Sequence, residues 1–81
     1  MSRVARFLFL SKGNISKEEA KELARAECAR RGVAWQEPIR VHRDFGDWEV
    51  WTHSGYRGGN VIITVDRGTG AIRAFSGPTP R

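Results

Sequence analysis

The hydrophobic period of this 81-residue chain changes once, at Pro38, and that change limits the folds open to it. Before Pro38, the residues Ala20, Leu23, Ala24 and Cys28 recur at helical spacing. After it, Ile39, Val41, Arg43 and Phe45 alternate with Arg40, His42 and Asp44. Trp48, Val50 and Thr52 then alternate with Glu49, Trp51 and His53. Period two is the signature of strands with two unlike faces. One helix followed by a run of short strands implies a helix lying on one face of an antiparallel sheet.

Residues 16–31 read as the helix. Ser16 is placed to cap it, and Glu19 three residues later completes a capping box. Ile15 before the cap and Ala20 inside the helix form a staple. Glu18, Glu19 and Glu22 put negative charge at the start, Arg30 and Arg31 put positive charge at the end, and Gly32 stops the helix. The apolar stripe is narrow and built mostly of small residues, so the helix can approach a sheet closely.

The remaining segments follow from turn chemistry. Residues 3–10 read as a first strand, ended by the turn cluster Ser11-Lys12-Gly13-Asn14. Residues 32–38 connect helix to sheet, with Val33 and Trp35 packing at the edge of the core. Gly46-Asp47 marks a hairpin turn, residues 54–60 a loop with three glycines, and Asp66 to Gly70 a second tight turn. Val61 to Val65 is the most strand-like run, and Ala71 to Ser76 is the last strand, before a flexible tail over 77–81. The expected architecture is α+β, two-layered, a single domain over 1–81, with one helix on an antiparallel sheet of about four strands, in the order β-α-β-β-β-β. Val41, Trp48, Val50, Val61, Ile63, Val65 and Ile72 should face the helix. Arg40, His42, Glu49, Trp51, His53, Ile62, Thr64 and Arg73 should face away.

Composition excludes several classes. Trp35, Trp48, Trp51 and a Val/Ile-rich C-terminal half demand burial, which a disordered tail does not provide. A single cysteine rules out an intramolecular disulfide framework, and one Cys with two His is too few for a usual structural zinc site. No stretch approaches the ~18 apolar residues of a membrane span. The apolar run Phe7 to Leu10 is four residues long and Lys12 follows it, which falls short of a secretory leader. The expected location is therefore the cytoplasm, with Cys28 as a free thiol. Phe7 to Leu10 is apolar on both faces, and a symmetric dimer through this strand or through the open sheet face would bury the excess. A deep substrate pocket would consume the core of so small a domain, which argues against an enzyme.

Several of these segments resemble a known family. Ile15-Ser16-Lys17-Glu18-Glu19-Ala20 resembles the start of a PepSY domain, a helix followed in that family by a meander of antiparallel strands. Asp47-Trp48-Glu49-Val50 resembles its W-x-V strand. Residues 63–72 resemble its V-x-V-D-x-x-T-G-x-V hairpin, with Ile63 and Ile72 in place of the outer valines. The resemblance covers about residues 15–75. The helix-then-hairpin ending with Gly58-Gly59 is also similar to bacterial immunity proteins of the nuclear-transport-factor-like fold, which are longer. What the PepSY resemblance implies is a regulatory or inhibitory binding module, often one acting on peptidases outside the cell. No catalytic residues come with it, and with no export signal or attached peptidase expected, the reading departs from that pattern.

Several residue groups have the types that carry chemistry, and each also has a plainer role. His42 and His53 with Asp44, Asp47 or Glu49 have the residue types of an acid/base cluster, but nothing marks a cleft, and both read as solvated strand positions. Cys28 lies in the C-terminal half of its helix, where the dipole has the wrong sign for a nucleophile, and reads as a small core residue. Gly55-Tyr56-Arg57-Gly58-Gly59-Asn60 lacks the Lys-Ser/Thr and the following helix of a phosphate-binding loop. No catalytic residue, metal or cofactor is expected. The chain carries fourteen Lys and Arg against nine Asp and Glu, a net charge of +5, and eleven of the fourteen are Arg. Arg interleaved with Trp51 and Tyr56 on a sheet suits either a protein partner or single-stranded nucleic acid. The expected partner-binding residues are Trp51, Tyr56, Arg57, His53 and Arg73. The expected function is that of a non-enzymatic module binding a protein, with single-stranded nucleic acid as the alternative.

Overall fold

Ser16 begins the helix as its neighbours require. In the computed structural model, which describes residues 14–77, its side chain accepts a hydrogen bond from the Glu19 backbone N–H at 3.1 Å. Its own N–H donates to the Glu19 carboxylate at 2.7 Å, so the capping box is complete. Helix α1 runs over Lys17–Arg31. Gly32 ends it in the left-handed conformation, φ 71°, and the N–H groups of Gly32 and Val33 donate to the carbonyls of Ala29 and Cys28. In the last turns, Arg30 and Arg31 both donate to the Glu27 carboxylate and hold it below the usual carboxylate range, Arg30 more strongly.

Four strands follow: β1 (Arg40–Asp44), β2 (Asp47–Trp51), β3 (Ile62–Asp66) and β4 (Ile72–Ser76). They form one antiparallel meander in the order β1-β2-β3-β4. The α+β, two-layer arrangement is as the period change implies. The strand expected over 3–10, including Phe7 to Leu10, lies outside the described residues, as does the tail beyond Gly77, so the described order starts with the helix.

The face assignment agrees with the alternation. Val50, Val61, Ile63 and Val65 are buried against Ile15, Ala20, Leu23, Ala24 and Cys28 of the helix side. Trp48, Val41, Ile72 and Phe75 pack around them, with Val33 and Trp35 of the connection. Each fully buried branched side chain such as Ile63 or Val50 contributes roughly 1.5–3 kcal/mol relative to exposure. Burial pushes the Cys28 thiol above its ordinary value, which fits a core position. Trp48 also donates from its indole N–H to the Ile15 carbonyl at 3.0 Å, tying β2 to the entry of α1.

Two expectations need correction. Phe45 does not continue the strand. Asp44 pairs with Asp47, so the two-residue turn is Phe45-Gly46 and not Gly46-Asp47. Phe45 takes the left-handed position, φ 54°, and its side chain is 93% exposed. Arg67 holds this turn: its guanidinium donates to the Phe45 carbonyl at 3.0 Å and its N–H to the Gly46 carbonyl at 2.8 Å. The second correction is His53, which lies beyond the end of β2 with φ 52°, in the following loop and not on the sheet.

Candidate functional site

The exposed side of the sheet is a grid set by strand register. Its first cross-strand row is Arg40, Trp51, Ile62 and Ser76. The second is His42, Glu49, Thr64 and Ala74. In the third, Asp44, Asp47 and Asp66 line up. The face is therefore basic and aromatic at one end and acidic at the other.

At the basic end, the segment from Thr52 to Val61 borders the first row. Thr52 and Val61 close the loop at its base: the Thr52 N–H donates to the Val61 carbonyl at 2.9 Å, and the Val61 N–H donates to the Thr52 hydroxyl oxygen at 3.0 Å. Asn60 adds two bonds from its side-chain amide, to the Thr52 carbonyl at 3.0 Å and the His53 carbonyl at 2.8 Å. On the other side, the N–H groups of His53 and Ser54 donate to the Gln36 and Pro38 carbonyls, at 2.7 and 2.9 Å. A loop tied at both flanks presents its tip residues from a firm base.

The result is an open depression of about 410 Å³ lined by Trp51, Tyr56, Arg57, Arg40, His42 and Asn60, with Ser54 and Gly55 completing the rim. Trp51 is half-buried. Its indole N–H donates to the Glu49 carboxylate at 3.1 Å, and the same oxygen lies 2.8 Å from His42 Nε2. The His42 and Trp51 rings sit 6.2 Å apart at a tilt of 37°. Glu49 thus orients both rings. Tyr56 is 59% exposed and stacks on His53, with centroids 4.3 Å apart and planes 11° from parallel. His53 is a support for Tyr56: its Nδ1 is buried with no hydrogen-bond partner among the described residues, 3.3 Å from where a Cβ at Gly59 would sit. The left-handed Gly59, φ 72°, lets the loop pass this close.

Of the residues expected to bind a partner, Trp51, Tyr56 and Arg57 meet in this depression and His53 buttresses it. Arg73 does not join them. It is the extra residue of a bulge between β3 and β4, and its guanidinium lies 3.4 Å from both Asp47 and Asp66 at the acidic end. Asp66 also accepts from the N–H groups of Thr69 and Gly68, at 3.0 and 2.8 Å. These bonds, with Arg73, hold its carboxyl below the usual range.

Sequence reasoning missed Thr52 and Asn60. The signal available was a Thr ending an inward-facing run and an Asn ending the glycine loop, but their pairing depends on the loop closing. Among the described residues, no group of three or more His, Cys, Asp or Glu could hold a metal ion. No described helix is long and apolar enough to cross a membrane. Compared with known proteins, the chain matches no family model, no curated protein and no solved structure.

Proposed function

We propose that this chain is a non-enzymatic module that binds a protein partner at the basic, aromatic end of its open sheet face. The observation that carries the reading is the convergence of Trp51, Tyr56 and Arg57, from strand and loop, on one depression. Trp, Tyr and Arg dominate binding hot spots because they bury large areas and pair polar groups at low entropic cost. The charge layout favours protein over nucleic acid. A single strand of nucleic acid is tracked by a continuous basic groove, whereas here the face runs from Arg40 and Arg57 to a row of three carboxylates, Asp44, Asp47 and Asp66, that the single Arg73 only partly offsets. A regulatory or inhibitory role toward that partner is what the PepSY resemblance adds.

The test is co-purification from the native host with and without nuclease, followed by titration of the captured partner against Trp51→Ala and Arg57→Ala. Trp51→Ala should weaken binding by about 2 kcal/mol or more, about 30-fold, with a nearly unchanged melting temperature. A loss of about 3–5 kcal/mol in stability would make Trp51 a core residue and remove it from the site. Capture that vanishes on nuclease treatment would replace the protein partner with nucleic acid.

A further inference from the structure

We propose that the chain pairs with a second copy of itself along the outer edge of β1, antiparallel, about a two-fold axis through His42. β1 and β4 are the outer strands of the sheet, and among the described residues no strand pairs with the outer edge of either. An unpaired edge is a template for another strand unless something blunts it. β4 is blunted: its ladder is broken by the bulge at Arg73. β1 carries no bulge, and its charged residues include both signs. Its five residues keep an unbroken register with β2.

The residues of β1 are complementary to themselves. A two-fold at His42 sets Arg40 opposite Asp44 of the second copy, and Asp44 opposite its Arg40. Both residues lie on the open face and are exposed. Because Asp44 and Asp47 flank a two-residue turn, the backbone groups of Asp44, His42 and Arg40 point toward β2. Those of Val41 and Arg43 point outward. The same two-fold sets Val41 opposite Arg43 of the second copy, so the outward N–H and C=O groups meet in hydrogen-bonded pairs. Other registers fit less well. A two-fold at Val41 opposes Arg40 to His42, and one at Arg43 opposes that arginine to itself.

Phe45 is the independent observation. It stands 93% exposed with a left-handed backbone that bulky residues seldom adopt, held there by two hydrogen bonds from Arg67. Phe45 directly follows β1 and Ile39 directly precedes it, so the His42 two-fold brings Phe45 of one copy to the same end of the ladder as Ile39 of the other, which is only partly buried in a single chain. A ladder this short lies at the small end of specific interfaces, so the association is weak.

The experiment is analytical ultracentrifugation of the full chain from about 10 µM to 1 mM, a range suited to weak self-association. Arg40→Asp, Asp44→Arg and the double reversal are run beside it, with circular dichroism confirming the fold of each. A concentration-dependent dimer is expected. Each single reversal should weaken it about tenfold or more, because two symmetric attractions become repulsions, and the double reversal should restore it to within about threefold. A protein that stays monomeric throughout overturns the proposal, including the case in which some other stretch of chain occupies the edge. Association indifferent to the single reversals, or not restored by the double one, overturns it as well.

Discussion

Replacing Thr52 by Val changes a hydroxyl to a methyl at a position with no exposed surface. The Thr52 oxygen accepts the Val61 N–H at 3.0 Å in a buried setting. Val has the same shape, so no cavity forms, and the principal loss is the acceptor. A buried donor left without a partner costs about 1–3 kcal/mol. The added methyl returns up to about 0.8 kcal/mol of burial. The net expectation is a destabilisation of about 1–2 kcal/mol, a large share of the roughly 3–5 kcal/mol that a domain of this size commands. In a thermal melt this is a fall of about 4–16 °C, at about 4–8 °C per kcal/mol. Hydrogen exchange locates the effect: the Val61 amide should lose protection in Thr52→Val and keep it in Thr52→Ser, which retains the oxygen. The same change frees the base of the loop that carries Tyr56 and Arg57, so partner binding should weaken with it. A Thr52→Val protein as stable as the parent, with Val61 still protected, would refute the view that this bond closes the loop.

Two further predictions concern local chemistry. Ser16→Ala removes one half of the capping box and should lower stability by about 0.5–2 kcal/mol; an unchanged melting curve would take the cap out of the account. Asp66 governs part of the acid limb. Its folded carboxyl titrates below its unfolded value, chiefly through the Thr69 and Gly68 N–H groups and also through Arg73, so the folded state binds fewer protons than the unfolded one. Its contribution is complete above the ordinary carboxylate pKa of about 3.9, and it fades as pH falls through the folded value. Melts of the parent and Asp66→Asn between about pH 6 and 2 should show a shallower acid decline in the variant, and parallel declines would count against the assignment.

Much of the fold was legible because its signals are short-ranged. The ends of α1 follow from Ser16, Glu19 and Gly32, residues that bond within a few positions of themselves. The β3–β4 turn follows from Asp66, Gly68 and Thr69 in the same way. The two faces of the sheet follow from alternation alone, since period two leaves only one assignment that buries Val50, Ile63 and Val65.

What the tertiary structure decided depends on contacts between distant residues. Phe45 reads as a strand residue locally, and only the pairing of Asp44 with Asp47, braced by Arg67, makes it a turn. Arg73 reads as a neighbour of Trp51 on the open face, but the bulge at Thr64/Val65 carries it to Asp47 and Asp66 at the other end of that face. The candidate site exists because Thr52 meets Val61, Asn60 reaches back to His53, and His53 meets Gln36. Composition named Trp, Tyr and Arg as candidates for binding; register and loop closure determined which of them share a surface, because a bulge or a closed loop is stabilised by partners that local sequence does not specify.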